Sequence, residues 1–388
     1  MKEKNNKKKN ILIIILLIAV VIIGAVLLID NFGSKFQDVE ISNNKSIEYS
    51  NKLLKEVYDE NKNTLVSDIT LNTNLAFFYA EGNEKVQNEL KNYFVDDDET
   101  IINNLRNIND RYKYAGKKVS YANSLWINNS TDDCSKQSKD TAKKLNYDIK
   151  YAKFNDKALN EMNKWIKRRS HGKIKEAIED DISNAQSVLI STLYFNEKWN
   201  SEYEESDIDP GTFYGTKGNQ EATFLSSEEE IYLEDPTAIG FMKPYIDEGL
   251  YFVGILPLEG NTIKDIDIES LMKTRSDVTV DVMIPEFEYE QTIDFNNVLN
   301  NMNIKSIFEQ GNLDSIAKDL YVSKIVQKNY IKVNRKGTEA FSITDSINAQ
   351  WGDISSTIRV VLDHPFIFMI YDEKIDQVLF IGNVNNIE

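Results

Sequence analysis

The chain has 388 residues, 41% of them hydrophobic, with 18 Phe, 19 Tyr and 4 Trp. That is ample material for a buried core and too much for general disorder. The formal charge is −17; residues 1–29 carry five Lys and one Glu, a net of +4, so −21 remains for residues 30–388. A balance this acidic argues against nucleic-acid or polyanion binding, which need a clustered basic face, and a single cysteine, Cys134, rules out an intrachain disulfide.

In chain order, residues 1–10 form a basic tail and residues 11–29 an unbroken apolar run of nineteen. As a helix that run measures about 28 Å, the hydrocarbon thickness of a bilayer. Lysines on its N-terminal side predict a cytoplasmic N-terminus and an exported remainder. A cleaved signal peptide is the competing reading, but it normally has a shorter apolar core and a small-x-small site, which residues 27–32 lack. Residues 30–43 read as a linker to a domain at 44–388.

Residues 46–60 place Ile47, Tyr49, Leu53, Leu54 and Val57 on one helical stripe, and residues 83–94 form a second helical candidate. Both are expected to pack on a sheet. The basic run 164–175 reads as the solvated side of a helix whose other side carries Leu159, Met162, Trp165 and Ile166. Residues 187–195 are apolar on both alternating rows, as expected of a central strand covered on both faces. Within 278–290 the apolar phase runs through Val278, Val280, Val282 and Ile284, then shifts to Phe287 and Tyr289 after Pro285. A bend there would carry the strand from one sheet to another. One mixed α+β unit results.

Catalytic chemistry finds little footing. The two histidines, His171 and His364, have no recognisable nucleophile turn near them, and there is no G-x-S-x-G elbow, metal-ligand spacing or phosphate loop. Neither an enzyme, a metal site nor a cofactor is expected.

The most telling stretch is 335–352. From Thr338, every second residue is small or uncharged and polar: Thr338, Ala340, Ser342, Thr344, Ser346, Asn348 and Gln350. The other row holds Glu339, Phe341, Ile343, Asp345, Ile347, Ala349 and Trp351. Such alternation is that of a strand, about 46 Å long over residues 338–351; an ordinary polar surface loop is the alternative.

Residues 321–340, YVSKIVQKNYIKVNRKGTEA, closely resemble the stretch entering the reactive loop of serpins, the conformationally trapped protease inhibitors. The resemblance continues in order through Asn163, Trp165, Gly172 to Ile174, Leu193 to Phe195 with Trp199, and Lys243 to Tyr245. Pro285 to Phe287, Asp294 to Leu299, Phe308, His364 to Phe368 and Leu379 to Val384 extend it. Together these cover residues 44–387.

The resemblance implies an α+β fold of several β-sheets, with a large central sheet, surrounding helices and an exposed reactive loop at about 335–359. It further implies a suicide substrate: a serine protease, or alternatively a cysteine protease, cleaves the loop, which then inserts into the central sheet and deforms the trapped enzyme. The hinge would be Gly337, Thr338, Glu339, Ala340, Phe341 and Ser342. Counting from Thr338 places the scissile bond at Trp351-Gly352, suiting a chymotrypsin-like enzyme; counting back from Pro365 points to Ile354-Ser355. Trp351 as a buried structural aromatic is the other reading.

Residues at the sheet's opening end and centre would be Arg335, Glu286, Trp199, Ser191, Ser67 and Gln327. Three depart from the family pattern: Asp68 stands for a proline, Ser191 for an asparagine and Gln327 for a histidine. Gln327 and Ser191 can still exchange hydrogen bonds, having both donors and acceptors, and Arg335 and Glu286, with signs reversed together relative to the family, are expected to form an ion pair. The bulky Phe341 and Ile343 keep a second function open, a non-inhibitory serpin-fold binding protein whose loop is only a substrate. The expected setting is a monomer on the outer face of a cell membrane, and the Lys, Asn and Ile bias points to a Gram-positive bacterium of low GC content.

Overall fold

The computed structural model describes residues 36–116, 118–128, 133–174, 178, 181–338 and 358–387. The predicted anchor at 11–29 lies outside them. So do Glu339, Ala340, Phe341, Ser342, Trp351 and Gly352.

Helices dominate the first third of the domain: α1 (Ser46–Val57), α2 (Asp68–Glu81), α3 (Glu84–Phe94) and α4 (Asp98–Tyr112), with β1 (Thr64–Val66) between the first two. α1 buries Ile47, Leu53 and Leu54 of the predicted stripe and stops at Val57, where Tyr58 turns to extended backbone. In α3 the Asn83 side chain accepts from the Lys85 and Val86 N–H groups, a cap that sets its start. α2 is buried on almost all sides, as befits a helix threaded through the core.

Then come β2 (Val119–Asn128), α5 (Lys136–Lys144), β3 (Tyr147–Ala152), α6 (Asp156–Arg169), β4 (Ser187–Phe195) and β5 (Glu197–Lys198). Strand β4 occupies its predicted residues and is buried at every position. The strand-rich remainder comprises β6 (Ile208–Gly215), β7 (Gly218–Glu234), β8 (Ala238–Pro244), β9 (Leu250–Pro257), α7 (Ile268–Met272), β10 (Ser276–Pro285), β11 (Phe287–Asp294) and α8 (Phe295–Asn301). β12 (Lys324–Asn334), β13 (Gly337–Thr338), β14 (Arg359–Val361), β15 (Phe366–Asp372) and β16 (Gln377–Val384) complete it.

Among the described residues the strands form two sheets. One has nine strands, in the order β1-β16-β15-β9-β8-β7-β10-β14 with β6 beside β7. The other has seven, running β3-β2-β4-β12-β13-β5 with β11 on the free side of β12. Pro285 ends β10 in the first sheet and Phe287 begins β11 in the second, so the predicted change of sheet falls between them. α6 packs Met162, Trp165 and Ile166 against Val188 and Ile190 of β4, forming a small core on one face of the seven-stranded sheet. Leu189 and Leu193 point instead into the main core shared with α2 and the nine-stranded sheet.

Candidate functional site

The site is the seam between β4 and β12. These strands pair in parallel only from Lys324–Gln327 against Val188–Ser191. Above that row they part, and at the upper end β13 stands between β12 and β5. Thr338 pairs with Val333 on one side and Glu197 on the other, and Gly337 with Asn334 and Lys198. The first two hinge residues are therefore already a strand within the sheet.

Local chemistry explains why they sit there. Gly337 has φ +153°, and a Cβ on it would collide with the Glu197 carbonyl oxygen, so only glycine fits. Thr338 is 2% exposed, and its hydroxyl meets that of Tyr245 at 2.6 Å. The Trp199 N–H donates to the Lys336 carbonyl at 3.1 Å and the Tyr203 N–H to the Arg335 carbonyl at 3.0 Å. The Trp199 indole donates to the Asn334 carbonyl at 2.8 Å and stacks on Tyr245, with centroids 4.7 Å apart. Beneath these rings the Lys243 ammonium lies 4.5 Å from the Tyr203 centroid and 2.7 Å from the Glu229 carboxylate.

The expected ion pair of Arg335 and Glu286 takes another form. The two are neighbours, but Glu286 Oε1 accepts from the Arg335 backbone N–H at 3.1 Å, while the guanidinium reaches Glu205 at 3.1 Å. The unpaired N–H at the end of β12 draws the Glu286 carboxylate inward, and the long arginine side chain extends to the acidic turn before β6.

At the seam's closed end Gln327 and Ser191 are register partners, yet each bonds elsewhere. Gln327 Nε2 donates to the Ser67 carbonyl at 2.8 Å and to Thr70 Oγ1 at 2.5 Å, and its Oε1 accepts the Ser67 N–H at 3.0 Å. Ser191 Oγ accepts from Asn74 at 2.8 Å, and Asn74 accepts from Tyr147 at 2.7 Å. The reason is what lies underneath. The start of α2 offers the Ser67 N–H, which the helix leaves unsatisfied, beside the Ser67 carbonyl, and two turns further on Asn74 reaches the serine. Asp68, also in this region, is wholly buried; burial pushes its carboxyl up to about 7 against the bonds from Ser50 and Ser46.

Sequence reasoning passed over Tyr245 as a hinge partner, along with Asn74, Asn329 and the carboxylates near Lys118. Asn329 had a legible signal, standing two residues from Gln327 and so on the same face. It donates to Gln327 at 2.7 Å and to the Leu65 carbonyl at 3.0 Å. The others come from elements distant in the chain.

A family model described as Serpin (serine protease inhibitor) matches residues 44–387. An uncharacterized serpin-like protein of Thermococcus kodakarensis is 26% identical over 354 residues, 86% of this chain and 83% of that one. Human Serpin B9 is 26% identical over 62% of this chain and 69% of its own length. The native-state crystal structure of tengpin, a thermophilic serpin, superposes with a TM-score of 0.83 at 26% identity, covering 91% of this chain and 97% of tengpin. With the domain match and the superposition in agreement, this chain belongs to the serpin family.

Proposed function

We propose that this protein inhibits serine proteases as a suicide substrate, its loop inserting on cleavage between β4 and β12. The observation that carries the reading is the position of Thr338. Continuing antiparallel from its partners Val333 and Glu197, each later loop residue moves back one place on both flanking strands. Both counts bring Thr344 to the Gln327–Ser191 row, the same pair that the closed end of the seam aligns directly. The seam thus has one register for an incoming strand.

Cross-strand neighbours share a face. Ala340 would lie between Ile331 and Phe195, Ser342 between Asn329 and Leu193, and Ser346 between Ile325 and Leu189, all buried positions. Only small side chains fit over such a core. On the other face Phe341 would meet Tyr330 and Tyr194, an aromatic setting that suits it. Asp345 would come beside Val326 and Ile190, in the core under α6, where an unpaired carboxylate is costly. Residue 347 reaches the Lys324–Val188 row, the foot of both strands, so cleavage at Trp351-Gly352 leaves a few residues to carry the protease past the sheet.

Gains of about 0.5–1.5 kcal/mol per new hydrogen bond, with side-chain burial, would drive insertion. Inhibition requires that insertion outrun hydrolysis of the acyl-enzyme. The second reading, a loop that is cleaved without trapping the enzyme, draws on Asp345. Incubation with chymotrypsin-like and other serine and cysteine proteases separates the two: SDS-stable complexes support inhibition, and a clipped chain alone rejects it.

The apolar run at 11–29 supports a membrane tether with the domain outside. Among the described residues no helix is long and apolar enough to cross a membrane, so the tether rests on that run. Recovery of the full chain in the soluble fraction without detergent would reject it.

A further inference from the structure

Glu197 is the β5 residue paired with Thr338, and only 4% of it is exposed. Lys118, just ahead of β2, places its ammonium 2.9 Å from Glu197 Oε2 and 2.5 Å from Asp247 Oδ2. Asp247 sits in the turn between β8 and β9, held to β5 by the Ile246 N–H donating to the Lys198 carbonyl at 2.9 Å. One cation therefore serves two carboxylates in a half-dry pocket. Besides these, Glu197 faces the Tyr245 phenol from the end of β8 and accepts the Lys198 N–H at 2.9 Å on its own strand. The surplus negative charge is relieved when one carboxyl takes a proton. Burial, and then the hydrogen bond to Asp247, push Glu197 up to about 7.

We propose that Lys118, Glu197 and Asp247 form a proton-operated latch on the hinge: protonated Glu197 keeps Gly337 and Thr338 paired in the sheet, and ionised Glu197 lets them leave. Departure of the hinge uncovers the flank of β5 and admits water to Glu197, which returns towards its ordinary value of 4.5. The hinge-in state thus binds the extra proton. Its advantage is complete below about pH 4.5, falls as the pH rises to about 7 and levels off above. The latch would set how far the loop is pre-inserted before any protease arrives, and so rests on the proposed function for its meaning, though not for its test.

The test is hydrogen exchange at the amides of residues 337 and 338 in the full-length protein in detergent micelles, corrected for the intrinsic pH dependence of exchange. Protection should fall at least about tenfold from pH 5 to pH 7.5, since one proton allows up to tenfold per unit. Amides of β15 serve as the internal reference. Glu197→Gln should hold the protected state across the range. Asp247→Asn, which leaves Lys118 to Glu197 alone, should move the inflection about one unit lower. A flat wild-type profile overturns the latch, as does a wild-type slope retained in Glu197→Gln. Should that variant not fold, an inflection unmoved by Asp247→Asn rejects it equally. Protease assays do not enter this readout, so a working latch on a chain that traps no enzyme would refute the inhibitor reading alone.

Discussion

Tyr245 and Thr338 touch through their hydroxyls at 2.6 Å, both side chains buried, at the point where the loop turns into the sheet. In the proposed insertion this contact would set which row of the loop faces inward. Thr338→Arg would drive a charged side chain into that space, and insertion past it should stop. Complex formation with a susceptible protease should fall at least about a hundredfold while loop cleavage persists. Tyr245→Phe removes only the hydroxyl, leaving Thr338 one bond short at about 1 kcal/mol, and should increase exchange of the residue 338 amide several-fold. Gel analysis and exchange measurements check the two.

In the proposed register Asp345 would be the loop residue poorly matched to its neighbours. Asp345→Ala replaces a carboxylate that would arrive beside Ile190 with a methyl group. The share of protease encounters ending in trapping, against simple cleavage, should rise about threefold or more. An unchanged partition ratio would show that the loop does not insert in the register derived from Thr338.

Gln327 satisfies both backbone groups of Ser67. Gln327→Ala leaves the buried Ser67 N–H without a partner and its carbonyl with the Thr70 hydroxyl alone, and should cost about 1–3 kcal/mol. Urea unfolding measures it, and the equivalent loss for Ser191→Ala should be smaller because that serine accepts a single bond from Asn74.

Asp68 gives stability a pH dependence. Its folded value, about 7, lies above the ordinary 3.8, so the native state holds the extra proton. Stability is greatest below about pH 4 on this account, declines between about 4 and 7, and stays lower above. Asp68→Asn should raise stability at pH 8 by on the order of 2 kcal/mol and reduce the slope. Some slope should remain, since Glu197 titrates in the same window. Thermal melts from pH 4 to 8 check both.

Residues 37–42 lie along α4. The Ser42 N–H donates to Asn104, Asn107 donates to the Glu40 carbonyl, and the Arg111 guanidinium donates to the Gln37 carbonyl at 2.9 Å. The same guanidinium grips Asp372 of β15 at 2.6 and 2.9 Å, with both side chains buried. Arg111→Ala should destabilise the domain by about 3–5 kcal/mol, the usual cost of leaving one member of a buried pair alone. It should also expose the amides of residues 37–42 to exchange ahead of global unfolding.

Period and order were legible in the sequence. The stripe of α1, the doubly apolar β4 and the change of sheet at Pro285 each follow from local side-chain spacing, which a helix or strand turns directly into a buried face. Tertiary structure alone decided which groups meet across the chain. Glu286 answers a backbone N–H, Gln327 turns to the start of α2, and Lys118 gathers Glu197 from β5 and Asp247 from the turn between β8 and β9. Such choices depend on which polar groups burial leaves unsatisfied, and those are known only once distant segments have packed together.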